Sequence, residues 1–284
     1  MTANPMHNLA QDNKGWLAEL SLRYEHRSSR TVIAARRHQG PLTVQKPFYP
    51  EGAVCHTYVL HPPGGVVGGD ILKINVEVAS DAHALLTTPA SAKFYRSAGA
   101  CAEQHNELRV SGNGILEWLP QETILFADSK VNTQTRVALE SEAKFCGWEI
   151  VCLGRPASHE AYASGCCQQT FRIDRAQQPC LIDRTVLAAG SDMLQAKWGL
   201  AGHTVTGVMV ITPADKDMLH AARSVIAETD NEGLCAASLL DDVLVCRYLG
   251  YHGMQARETL TTIWSAVRPY WCGREAQAPR IWST

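Results

Sequence analysis

A chain of 284 residues, 45% of them hydrophobic, can bury about three quarters of its unfolded surface. The formal net charge of −2 comes with no basic stripe, which argues against nucleic acid and anionic membranes as partners. No apolar run reaches the ~18 residues of a membrane-spanning helix. Residues 1–15 contain no apolar signal core, so they are expected to form a flexible leader ahead of one domain over residues 16–284. The ten cysteines read as free thiols of a protein in the reducing cytoplasm. No Cys-x-x-Cys occurs, and the vicinal Cys166–Cys167 would face opposite sides of a strand. Both points argue against a closed zinc site.

Residues 16–26 alternate, with Leu20, Leu22 and Tyr24 on one face and Glu19, Ser21, Arg23 and Glu25 on the other. That predicts a half-buried strand. Residues 30–38 predict a second, ending in Arg36–Arg37–His38. The central stretch is residues 55–70, CHTYVLHPPGGVVGGD. Its apolar start predicts a strand, which Pro62–Pro63 stop because proline cannot donate to a β-ladder. Gly64–Gly65 and Gly68–Gly69 then require left-handed backbone or close approach to another segment. After Asp70, Leu72, Ile74, Val76 and Val78 alternate with Lys73, Asn75 and Glu77. The reading is strand, glycine corner, strand. A phosphate loop would need a Lys-Ser/Thr pair and a following helix, and both are missing. Asp70 is expected to accept backbone N–H groups and stiffen the corner.

Residues 83–88 predict another strand. The segment over residues 87–97, TTPASAKFYRS, adds Lys93, Tyr95 and Arg96. Short strands follow at 107–110, 114–119, 123–126 and 131–139, then an apolar one at 146–153 with Glu149 in its middle. A pair is expected at 167–173 and 180–187, the second interrupted by Asp183–Arg184, and single strands at 204–211 and 242–249. Thr212, Pro213 and Asp215 read as N-cap, first-turn proline and acidic N3 of a helix running to about residue 228. Leu260, Ile263, Trp264 and Val267 form the stripe of a second helix over 254–271. The fold class is mainly β, layered, with two helices in the C-terminal third.

Two groups of residues could carry chemistry. Cys55, His56 and His61 come nearest to a metal-ligand cluster, since imidazole and thiolate suit zinc, copper and nickel. A strand would point Cys55 and His56 to opposite faces, so a buried thiol and a hydrogen-bonded histidine are expected, with only a transient metal contact left open. Asp70, Glu149 and Asp183 are acids in apolar or glycine-rich runs. Each must be paired, hydrogen-bonded, hydrated or protonated. Either they form internal salt bridges, for example Asp183 with an arginine, or they line a polar, water-filled interior that attracts a cation. A Cys/His-dependent hydrolase and a stand-alone metal-binding protein are alternatives, though no Gly-x-Ser-x-Gly and no His-Glu-x-x-His occur.

Several segments resemble the family of the urease accessory protein UreD, also called UreH. They are GPLTVQKPFYPEG (40–52), residues 55–70, LLTTPASAKFYRS (85–97), ILEWLPQETILF (115–126), CLGRPASHE (152–160), RYLG (247–250) and the late PRIW. They keep their order from residue 16 to 282. One departure is Ser158–His159–Glu160, where the family carries Gly-Glu after Gly-Arg. The resemblance implies a mainly β fold with helically wound strands and two helices. It implies a non-catalytic chaperone and scaffold joining the urease apoprotein to UreF and, through UreF, to the GTPase UreG. It also implies nickel insertion in the cytoplasm, with no tightly bound cofactor and a transient nickel route through the protein. Asp70, Glu149 and Asp183 are the first residues to place along that route, then Cys55, His56 and His61.

Overall fold

The structure, a computed structural model, describes residues 15–229 and 232–283. The leader expected over residues 1–15 lies outside them, apart from Gly15. The elements in chain order begin with β1 (Leu17–Arg27), β2 (Arg30–Gln39), β3 (Thr43–Val44), β4 (Cys55–Leu60), β5 (Ile71–Val78), β6 (His83–Thr87) and β7 (Ala92–Phe94). Next come β8 (Ala102–Val110), β9 (Ile115–Trp118), β10 (Thr123–Leu125), β11 (Ser129–Leu139), β12 (Lys144–Leu153), β13 (Gly165–Arg175) and β14 (Gln178–Ala188). The C-terminal part contains α1 (Asp192–Gln195), β15 (Val205–Thr212), α2 (Lys216–Glu228), β16 (Leu234–Leu240), β17 (Val243–Gly250) and α3 (Gly253–Cys272).

The strands form two sheets. The seven-stranded sheet runs β14-β13-β11-β8-β5-β1-β2. The ten-stranded sheet runs β16-β17-β15-β12-β9-β6-β4-β3, with β10 and β7 branching from β12. Between β4 and β13 the chain passes repeatedly from one sheet to the other and back. β4, β6, β9 and β12 stack in parallel in one sheet. β5, β8, β11 and β13 stack in parallel in the other. This is a β-solenoid-like coil. Its corners stack too: Asn113 Oδ1 accepts from Ser80 Oγ at 2.8 Å and from the Asp81 amide at 2.7 Å. Glu140 continues the stack by accepting from the Gly112 amide at 2.6 Å.

The glycine stretch is such a corner, carrying the chain from β4 in one sheet to β5 in the other. Its glycines serve close approach more than turn geometry. A Cβ on Gly68 would lie 2.4 Å from Ser97 Oγ and 2.7 Å from the Ala100 carbonyl. Of the four, only Gly69 has positive φ, +94°.

Two apolar layers result. One lies between the sheets, and the other between the ten-stranded sheet and helices α2 and α3. β12 shows why its sequence is nearly continuous in apolar residues. Phe145, Val151 and Leu153 face the first layer, while Cys146, Trp148 and Ile150 face the second. A strand covered on both sides cannot alternate.

Some expectations are corrected. β14 runs unbroken through Asp183–Arg184, because its inward and outward residues still alternate. The N-cap of α2 is Asp215, whose carboxylate accepts from the amides of Asp217 and Met218, each at 3.0 Å. Thr212 instead completes β15 opposite Phe145. Among the described residues the two long helices are those expected, and the single turn α1 is added to them. β8 starts at Ala102, ahead of the expected residue 107, and β3, β7 and β16 were not expected.

Candidate functional site: cavities between the sheets

The inner face of the seven-stranded sheet should be apolar throughout, and it is not. Strand register places Gln104, Thr133, Gln169 and Thr185 in one row across β8, β11, β13 and β14. The next row holds Asn106, Thr135, Phe171 and Asp183. These groups find partners among themselves. Asn106 Nδ2 donates to Thr135 Oγ1 at 2.8 Å, and Thr185 Oγ1 to Asp183 Oδ1 at 3.4 Å.

Across the gap, the ten-stranded sheet aligns Glu149, Val208 and Arg247 in one row over β12, β15 and β17. Gln169 Nε2 donates to Glu149 Oε2. Burial pushes the Glu149 carboxyl up to about 7; hydrogen bonds from Thr135 and Gln169 oppose the rise, and the Asp183 charge adds to it. The carboxyl is only partly accessible, and it borders a space between the two sheets.

That space is a cavity of about 300 Å³ between the sheets, bordered by Gln104, Asn106, Thr133, Glu149 and Gln169. It has room for about ten waters at ~30 Å³ each. Glu149 and Gln169 also border a second cavity of about 30 Å³, closed on its far side by Asp183, Thr206 and Arg247. At the other end, His61, Pro63, Gly65 and Leu72 separate the large cavity from a third, of about 270 Å³, beside Asp70 and the exposed Trp16. The three cavities share walls in sequence, as a line of three, and their linings mix these polar groups with apolar residues such as Val59, Ile74, Trp118 and Phe171.

The six residues singled out in the sequence divide three ways. Glu149 and Asp183 come together at one end of this line. Asp183 is ion-paired, its Oδ2 accepting from Arg247 Nη2 at 2.6 Å. Asp70 and His61 sit at the other end. Asp70 accepts from the Trp16 amide at 2.8 Å and the Val67 amide at 3.0 Å, so both oxygens hold the corner. Burial pushes the His61 imidazole down, and the Asp70 charge partly offsets this. Cys55 and His56 lie apart from the line and from each other, on opposite faces of β4. The Cys55 thiol is raised by burial, and the His56 ring meets Glu51 Oε1 at 2.7 Å.

His56 belongs to a buried ionic cluster that sequence reading missed. Arg268 of α3 binds Glu117 of β9 through Nη2 at 2.9 Å and Nε at 3.1 Å. The same guanidinium reaches Glu51 through Nη1 at 2.8 Å. His83 Nε2 lies 2.7 Å from Glu117 Oε1, and Trp264 Nε1 donates to Glu117 Oε2 at 2.6 Å. Burial alone would raise the Glu117 carboxyl, but His83 and Arg268 hold it down at about 2. Glu117 stands between apolar residues in ILEW, the same signal that marked Glu149. The cluster ties the ten-stranded sheet to α3.

Burial pushes Cys152, Cys167 and Cys246 up to about 12, whereas a nucleophilic thiol needs the opposite shift. Among the described residues no three His, Cys, Asp or Glu side chains stand together as a ready metal site. No described helix is long and apolar enough to cross a membrane.

Comparison with known proteins bears on what this geometry serves. Residues 17–283 match the family described as UreD urease accessory protein. A protein of Aliivibrio fischeri strain MJ11 named urease accessory protein UreD is 40% identical, over 98% of this chain and all of its own. One from Escherichia coli with the same name is 43% identical, over 95% of this chain and 98% of its own. One from Dechloromonas aromatica is 41% identical over the whole of both chains.

Proposed function

The chain belongs to the UreD family of urease accessory proteins, and from that premise we propose that it is a non-catalytic scaffold guiding nickel into urease. Urease maturation is the role its family gives it. In the fuller reading it works in the cytoplasm, joins the urease apoprotein to UreF and, through UreF, to the GTPase UreG, and passes nickel through its own interior. The observation that carries the reading is the line of three cavities with acids at both ends.

Such a line suits a relay. A dication crossing an apolar core meets a desolvation cost that no protein offsets without polar contacts. Here hydroxyl and amide groups of Gln104, Asn106, Thr133 and Gln169 supply those contacts in register. Only Glu149 and Asp183 add carboxylates at their end, and Asp70 already satisfies backbone amides. Two carboxylates and neutral oxygens hold nickel weakly, as a relay requires. Partner docking has support at the surface: α3 leaves Met254 60% and Tyr270 63% exposed, and Trp198 is 73% exposed.

The reading is tested in cells that produce urease with its other accessory proteins, with and without this chain. Urease purified from cells lacking the chain is expected to contain little nickel, and UreF is expected to co-purify with the chain when it is present. Full nickel content without the chain would overturn the maturation scaffold.

A further inference from the structure

We infer that Arg247 is a latch on the nickel passage, holding Asp183 closed to cations until an acidic group of a docked partner draws the guanidinium away. This rests on the passage proposed above and adds its control. Arg247 stands in the row Glu149–Val208–Arg247 on the inner face of the ten-stranded sheet, which Ala236 of the edge strand β16 continues. It spans to the opposite sheet, where Asp183 lies on the edge strand β14. The pair therefore bridges the two sheets beside the edge strand β14, at the wall of the small cavity. Behind it lies the 30 Å³ cavity, with room for about one water.

The two partners differ in freedom. The Asp183 side chain is 14% accessible and that of Arg247 59%. The acid is fixed in the wall, and the arginine lies over it from outside. With the guanidinium seated, Oδ2 of Asp183 is taken and a cation meets a like charge. With it withdrawn, the Asp183 carboxylate faces the small cavity uncompensated, beside the carboxyl of Glu149 and the hydroxyls of Thr185 and Thr206. Guanidinium exchanges readily between carboxylates because each offers the same two-oxygen fork. A carboxylate on a docking partner is thus the chemistry that would release it. An ion pair that merely clamps the two sheets would leave cation access unchanged.

The test is titration of Ni²⁺ into the full-length chain, followed by calorimetry. Arg247→Met keeps the length of the side chain and removes its charge. It is expected to tighten Ni²⁺ binding at least tenfold. Adding Asp183→Asn to Arg247→Met is expected to return the affinity to that of the unaltered chain, and Arg247→Lys is expected to leave it there. Unchanged Ni²⁺ affinity in Arg247→Met, or tighter binding that survives Asp183→Asn, would overturn the latch. Failure of the passage shows elsewhere: normal urease nickel in cells carrying Glu149→Gln removes the route, whatever the titration gives.

Discussion

Glu149→Gln is expected to do two opposite things at once: stabilise the chain at alkaline pH and deprive urease of nickel. The stability effect follows from the carboxyl being raised in the fold from about 4.5 to about 7. Below pH 4.5 it is protonated in both states and costs nothing. As pH rises through 4.5 toward 7 the unfolded chain ionises first, so folded stability falls, and above pH 7 the loss is complete. At ~1.4 kcal/mol per unit, the loss is at most about 3.5 kcal/mol, reduced by whatever hydration the cavity gives the carboxylate. Glutamine cannot ionise, so denaturant unfolding at pH 8.5 should show the variant more stable by up to that amount, and at pH 4 nearly equal. Urease nickel content with this variant is expected to fall by about tenfold, the scale of losing one polar contact to a metal. A structural role alone predicts the first effect without the second. Equal stability at pH 8.5 would show that Glu149 is not desolvated.

Arg268→Met is expected to cost the most stability. Arg268 is fully buried and faces Glu117 and Glu51 together. Removing it leaves two buried carboxylates with only the imidazoles of His83 and His56 beside them, and breaking a buried pair in this way typically costs about 3–5 kcal/mol. The helix stripe would survive, since methionine fills similar space, so the loss reports the cluster. A cycle with Glu117→Gln should show coupling above about 1 kcal/mol. The same cluster sets an acid limit. Glu117, held at about 2, contributes stability that is full above pH 4.5 and lost as pH falls from there toward 2. Chemical unfolding of both single variants and the double variant measures this. A change under 1 kcal/mol for Arg268→Met would mean that the cluster does not anchor α3.

Much of the strand content was legible because single residues report a face. Leu20, Leu22 and Tyr24 in β1, and Leu72, Ile74 and Val76 in β5, alternate with polar neighbours, and the core lies where they point. β7 and β3 were missed because three residues and two residues carry no period. In β16, LCAASLL buries little and offers only Ala237 as a deeply buried apolar residue. The winding of the coil was not in the periodicity at all. It came with the family resemblance, because parallel pairing between distant segments leaves no mark on either one alone.

The site was half legible. Glu149 and Asp183 stood out as acids where apolar residues belong, and the structure sets them at two cavities with a common wall. Gln104, Thr133 and Gln169 were equally readable in principle. Each occupies an inward position of a strand, and a polar residue there needs a partner or water. What no local reading supplies is which strands face each other across the gap. Glu149 meets Gln169 only because β12 and β13 lie in different sheets at that turn of the coil. Arg268 and Glu51 are 217 positions apart, and nothing in either neighbourhood announces the other.

The measurement that bears most directly on the central claim is the nickel content of urease matured by a chain whose cavity is filled. Thr133→Trp places an indole in the 300 Å³ space and alters no surface residue. The variant chain should still co-purify with urease and its accessory partners, while the urease formed contains almost no nickel. Fully nickel-loaded urease from cells that carry only the filled chain, with the indole shown to occupy the cavity, would contradict passage through the protein.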